Sequence, residues 1–157
     1  MPSPAFSAVI FDMDGVIVDS EPRHERAFLE VFAQMGYGAT HGIHFENYLG
    51  RSDRAVWVDF VAKHNPRWTL EELVAWKQNH VIEILRREEP IFDGLPELVA
   101  KAAARYPLAV ASGSVHRVID EVLAMKSLRQ FFPVVVSVQD VAHGKPDRKS
   151  TRLNSSH

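Results

Sequence analysis

Ser7-Ala8-Val9-Ile10-Phe11-Asp12-Met13-Asp14-Gly15 is the stretch on which the fold turns. Residues 7–11 form a short, nearly continuous apolar run that stops at Asp12. Such a run suits a strand buried on both faces, as in a parallel sheet. Gly15 then permits a tight turn. Asp12 and Asp14 flank Met13 just past the strand's carboxyl end, where open α/β sheets place their binding crevice. Two carboxylates so close oppose each other's ionisation. A divalent cation relieves that repulsion, and hard oxygen donors in an open site suit Mg²⁺, which also binds phosphate oxygens. One carboxylate can then attack phosphorus while the other protonates the leaving oxygen. Taken alone, D-x-D is also a common surface turn.

Downstream, a helix is expected from near Ser20, capped by Ser20 or Asp19, with Glu21 and Pro22 in its first turn. Ala27, Phe28, Val31, Phe32 and Met35 share one face, and Gly36 and Gly38 end it. Residues 40–50 read as a loop or short helix. Ser52 caps a second helix with Val56, Phe60 and Val61, broken at Asn65-Pro66. Thr69 and Glu72 make a capping box for a third, in which Leu70, Leu73, Val74, Val81, Ile84 and Leu85 keep helical spacing. A further helix follows Asp93-Gly94 and is lined by Leu95, Leu98, Val99 and Ala102. Residues 108–111 are a strand running into Ser112-Gly113-Ser114, where Ser114 caps a helix with Val118, Ile119 and Val122. Residues 133–138 form a third strand. Strands alternating with single helices indicate an α/β protein with a parallel sheet. The helical block at 18–92 is too long for one crossover and reads as an insertion.

The chain has 157 residues, enough for one domain or a small domain with an insertion. It contains no cysteine, which excludes disulfides and thiolate metal sites. The formal charge is −2 and no basic stripe marks a nucleic-acid surface. No apolar run reaches the length of a membrane span. The expected partner is a small molecule, with no nucleic acid and no membrane, and a cytoplasmic monomer fits the composition. The histidines at 41 and 44 lie three apart without a third ligand, which suits a solvated loop better than zinc.

FDMDGVIVDSE at 11–21, ASGS at 111–114 and GKP at 144–146 stand in the order and context of the haloacid dehalogenase (HAD) superfamily. The resemblance covers residues 7–146. It implies a Rossmann-like α/β core, here truncated, built from residues 1–17 and 93–146, with an inserted α-helical cap at 18–92. It implies that Asp12 is a nucleophile that becomes phosphorylated and Asp14 the general acid/base, both ligands of Mg²⁺. Ser112, with the N–H of Gly113, binds the transferring phosphoryl group, and Lys145 balances its charge. These roles make physical sense. Ser112 lies where a strand meets a helix N-terminus, a natural anion site, and a lysine supplies a point positive charge. The family's dehalogenases lack the second Asp, so Asp14 points to phosphate esters, whose alkoxide leaving group needs a proton.

A helical insertion straight after the first motif resembles the cap of the family's phosphatases and β-phosphoglucomutases. In it His24, Arg51 and Arg54 are candidate substrate contacts. The mutases carry an Arg immediately after the Gly-x-Ser of the cap loop, where this chain has Asp53. The expected function is a Mg²⁺-dependent phosphatase acting on a small phosphorylated metabolite, such as a sugar phosphate, through an aspartyl-phosphate. The alternatives are β-phosphoglucomutase-like transfer, or an inactive fragment or non-catalytic module on the same scaffold. The family's fourth, acidic motif is expected beyond Lys145. Residues 147–157, DRKSTRLNSSH, instead resemble one translated frame of a sequencing adapter, so the natural gene is expected to continue past Pro146. In the family's sheet order, 3-2-1-4-5, the first strand would then lie at an open edge.

Overall fold

The computed structural model describes residues 5–144; Lys145 and the adapter-like tail lie outside that range. Three short strands, β1 (Val9–Phe11), β2 (Leu108–Ala111) and β3 (Val134–Val136), form one sheet in the order β1-β2-β3. Both pairings are parallel. Phe11 stands opposite Val110 and Ala111 opposite Val136, so the three strands end at one edge of the sheet. Asp12, Ser112 and Ser137 are therefore the first residues beyond three adjacent strand ends.

β2, the central strand, is buried at all four residues. β1 is not: Val9 and Phe11 are half-buried and Ile10 is 40% exposed. The strand is thus not buried on both faces, as its apolar run suits, and it lies at the open edge expected for the first strand. Among the described residues β1 pairs with β2 alone and forms the sheet's edge. After Phe11 the chain folds back tightly. Ile17 N and Val16 N donate to Met13 O, and Gly15 N donates to Val18 O with Gly15 at φ 76°. Met13 is fully buried, which turns the neighbouring Asp12 and Asp14 away from the core.

Two helices, α4 (Leu95–Ala103) and α5 (His116–Ala124), accompany the sheet. Each carries an apolar stripe, with Leu95 and Val99 buried in α4 and Val118, Ile119, Val122 and Leu123 in α5. Leu98, expected to line the α4 core face, is 54% exposed. Three helices, α1–α3, precede these in the chain and build the helical segment. They are α1 (Glu21–Gln34), α2 (Asp53–His64) and α3 (Leu70–Glu88), with 3-10 turns at Gly38–His41 and Phe45–Tyr48.

The described residues divide into two compact units, 5–20 with 89–144, and 21–88. The second unit is held by an aromatic core. Phe32 stacks on His41 at 4.6 Å and meets Phe60 at 4.9 Å and Trp57 at 5.3 Å. Such ring pairs add about 0.5–1.5 kcal/mol each beyond the area they bury. Burial, then His44, His64 and Lys63, lower the pKa of His41 from its ordinary 6.5. The Thr69 capping box forms as read: Glu72 accepts from Thr69 N at 2.7 Å and Thr69 Oγ1 accepts from Glu72 N at 3.2 Å. Ser52 is the N-cap of α2, but its hydroxyl makes no capping bond. Asn65 ends α2 in the left-handed region at φ 46°.

Candidate active site

Asp14 is the most heavily coordinated polar side chain at the strand ends. Ser20 Oγ donates to its Oδ1 at 2.5 Å, and Ser114 Oγ donates to its Oδ2 at 3.0 Å. Ser112 Oγ reaches the same Oδ2 at 3.4 Å. Hydroxyls from two separate segments, Ser20 and the Ser112–Ser114 loop, thus converge on one carboxylate. Ser20 and Ser112 are 1% and 5% exposed, so this convergence is built into the interior. Asp12, one residue beyond β1, is exposed, and its Oδ1 accepts from Met13 N at 2.7 Å.

Ser114 and Ser20 were both expected as helix caps, and for Ser114 the structure corrects that reading. The N-cap of α5 is Val115, and no side chain caps it. The Ser114 hydroxyl is committed to Asp14 instead, while its backbone N–H donates to Ser112 Oγ at 3.0 Å. The Ser20 hydroxyl likewise donates to Asp14, just before α1 begins at Glu21. Gly113 is exposed at the turn between β2 and α5, beside Ser112. Ser112, Ser114, Ser20, Asp12 and Asp14 are therefore gathered in one unit at one end of the sheet. Lys145, expected beside them, lies outside the described residues.

The segment after β3 laces this loop to itself. Ser137 is 1% exposed and its Oγ donates to Ser114 O at 2.8 Å. Asp140 Oδ2 accepts from Ser137 N at 2.8 Å and lies 2.7 Å from His116 Nε2. The Ser137 N–H and then the His116 side chain hold the Asp140 carboxyl below its ordinary 3.8. Sequence reading named neither Ser137 nor Asp140. The signal was present: a serine at the end of a strand parallel to the one that ends in Ser112 occupies the equivalent crevice position.

Within the helical unit, His24 does not stand alone. Its Nδ1 lies 2.5 Å from Lys77 Nζ. The Lys77 side chain is fully buried, forms an ion pair with Asp53 and sits 4.7 Å from the centre of the Phe28 ring. Lys77 was missed, although it interrupts an apolar row of four-residue spacing, Leu73-Lys77-Val81-Leu85, that places it on the buried face of α3. Of the two arginine candidates, Arg54 pairs with Glu71 at 3.1 Å on the surface, and the Arg51 guanidinium lies 5.1 Å from the Tyr48 ring centre.

A metal would find hard oxygen donors in Asp12 and Asp14. No group of three or more His, Cys, Asp or Glu able to hold an ion occurs among the described residues. Two carboxylates nonetheless fit Mg²⁺, which takes its remaining positions from water and substrate phosphate. No helix among the described residues is long and apolar enough to cross a membrane.

A three-stranded parallel sheet with accompanying helices, an acidic pair at its carboxyl edge and a helical insertion after the first strand make a Rossmann-like α/β fold. A family model described as haloacid dehalogenase-like hydrolase matches residues 9–153, and the chain belongs to that family. Fructose-1-phosphate phosphatase YqaB of Escherichia coli K12 is 30% identical over 143 residues, covering 90% of this chain and 74% of the relative. Hexitol phosphatase B of the same strain is 30% identical over 141 residues, covering 88% and 64%. The chain thus spans roughly two thirds to three quarters of the length of these relatives. Among solved structures, CbbY from Rhodobacter sphaeroides in complex with phosphate aligns with a TM-score of 0.77 at 23% identity, covering 94% of this chain and 70% of that one. β-Phosphoglucomutase from Clostridium difficile aligns at 0.76 and 18%, covering 96% and 70%. At these identities the structural likeness shows the fold.

Proposed function

We propose that the protein is a phosphoric monoester hydrolase that works through an aspartyl-phosphate on Asp12, with a small phosphorylated polyol or sugar as substrate. The observation that carries this reading is the ring of hydroxyls on Asp14. Ser20, Ser112 and Ser114 hold one carboxylate in place beside a second, exposed one. That division suits a positioned acid/base next to a nucleophile. Phosphatases of carbohydrate phosphates among the relatives support the substrate class.

The steps follow from these positions. An Asp12 oxygen attacks phosphorus and the bond to the alcohol oxygen breaks. Asp14 delivers its proton to that oxygen, which leaves as the alcohol. Water then attacks the phosphorus of the acyl phosphate, Asp14 takes the proton, and orthophosphate departs with Asp12 restored. Ser112 and the N–H of Gly113 receive the phosphoryl oxygens, and Lys145 offsets their charge. When bound by Asp12 and Asp14, Mg²⁺ supplies positive charge to the phosphate oxygens. The helical unit, 21–88, is the segment assigned as the cap.

The Lys77–Asp53 ion pair supports hydrolysis over mutase-like transfer. The mutases place an arginine at this position of the cap loop. Here an aspartate stands there and takes up the charge of the nearest lysine, which leaves less positive charge for a second phosphate. The experiment is a screen of phosphate esters with the purified protein, Asp12→Asn serving as control. Orthophosphate release that disappears in the variant is expected. Conversion of β-glucose 1-phosphate without release would select the mutase instead.

A further inference from the structure

Ser137 and Asp140 lie outside every role assigned so far, yet they join the two loops that flank the strand ends. Ser137 Oγ donates to Ser114 O at 2.8 Å and accepts from Gln139 N at 3.1 Å. Val138 N approaches the same Ser114 carbonyl at 3.4 Å. His116 N donates to Gln139 Oε1 at 2.8 Å, and the His116 ring pairs with Asp140. Each loop therefore donates into the other. The Ser114 peptide is fixed on its carbonyl side by Ser137, and on its other side it supplies the N–H to Ser112 and the hydroxyl to Asp14.

We propose that Ser137 is a positioning residue for the phosphate-binding loop, held in its own place by the Asp140–His116 pair. The proposal rests on the phosphate-binding reading of Ser112–Ser114. Loss of the Ser137 hydroxyl leaves the Ser114 carbonyl with its longer, weaker contact from Val138, and the peptide can rotate. The Ser114 N–H then no longer holds the Ser112 hydroxyl in place, and the phosphate-binding loop loses its order. Displacements of this order at an anion site are felt steeply, because oriented donors are worth more than their separate hydrogen bonds.

The test uses the ¹⁵N-labelled gene product as wild type, Ser137→Ala and Ser137→Thr. Amide exchange is read at Ser114, with Val110 of β2 as the internal control for global unfolding. Orthophosphate is then titrated against the Gly113 and Ser114 amide shifts. In Ser137→Ala, exchange at Ser114 is expected to rise roughly tenfold while Val110 is unchanged, and orthophosphate to bind roughly tenfold more weakly. Ser137→Thr, which keeps the hydroxyl, restores both. Should the alanine variant lose protection at Val110 too, Asp140→Ala takes its place, with the same pattern at about threefold. Unchanged exchange at Ser114 overturns the proposal, and so does faster exchange with wild-type phosphate affinity. If wild type shows no phosphate response at Gly113, the phosphate-site reading fails, and the exchange at Ser114 alone decides whether Ser137 holds the loop.

Discussion

Replacing Asp53 by Asn should destabilise the helical unit much more than replacing its partner Lys77 by Met. Lys77 is fully buried, whereas the Asp53 side chain is 45% exposed. Removing one member of a buried ion pair costs about 3–5 kcal/mol, because the remaining charge is left without compensation. Two features reduce that figure here. Asp53 already shares its charge with water, and Lys77 keeps His24 Nδ1 at 2.5 Å and the Phe28 ring at 4.7 Å. Asn also retains a carbonyl acceptor of the same shape. The expected loss for Asp53→Asn is therefore about 2–3 kcal/mol. In Lys77→Met the stranded group is the half-exposed carboxylate, which water can solvate, and the expected loss is about 1 kcal/mol or less. The double variant should return to within about 1 kcal/mol of wild type, since an apolar side chain then fills the interior. Urea unfolding followed by tryptophan fluorescence isolates the effect, because all three tryptophans, Trp57, Trp68 and Trp76, lie in this unit. A loss below about 0.5 kcal/mol for Asp53→Asn, or a larger loss for Lys77→Met than for Asp53→Asn, would refute the reasoning.

Two further perturbations follow from particular side chains. The Asp140 carboxyl lies below its ordinary 3.8, chiefly through Ser137 N–H and then His116. A depressed carboxyl contributes stability that is present above the unfolded value and is lost as pH falls through the folded one. Hydrogen exchange at Ser114 should therefore show wild type more protected than Asp140→Asn at pH 6, with the difference shrinking below about pH 4. The Trp57 indole N–H is buried with no hydrogen-bond partner among the described residues. Trp57→Phe removes that unpaired donor while opening a small cavity, so calorimetry should find a net change within about 1.5 kcal/mol, well short of the 3–5 kcal/mol of a Trp→Ala truncation.

Local patterns carried most of the fold. The apolar run before Asp12, the Thr69 capping box and the strand running into Ser112 each depend on neighbours in sequence, and each stands where it was read. The exceptions share one cause. Ser114 looked like a helix cap because the serine-before-helix pattern is local, but its hydroxyl meets a carboxylate 100 residues away. Lys77 interrupts the apolar row of α3, and its partners stand 24 and 53 residues away. Leu98 was assigned to the core from a helical stripe whose width at α4 is set by what the helix packs against, and it is exposed. β1 reads as an interior strand by composition, yet its position at the sheet's edge depends on which strands pair with it. Composition states what a residue prefers, whereas long-range pairing decides what it meets.

The account's central claim is that Asp12 carries the phosphoryl group. The direct measurement is rapid-quench labelling of the protein with ³²P-acetyl phosphate and Mg²⁺, followed by peptide mapping. The account predicts hydroxylamine-labile label on the peptide containing Asp12, absent in Asp12→Asn together with orthophosphate release. Orthophosphate release that persists at the wild-type rate in Asp12→Asn, with no label on that peptide, would contradict it.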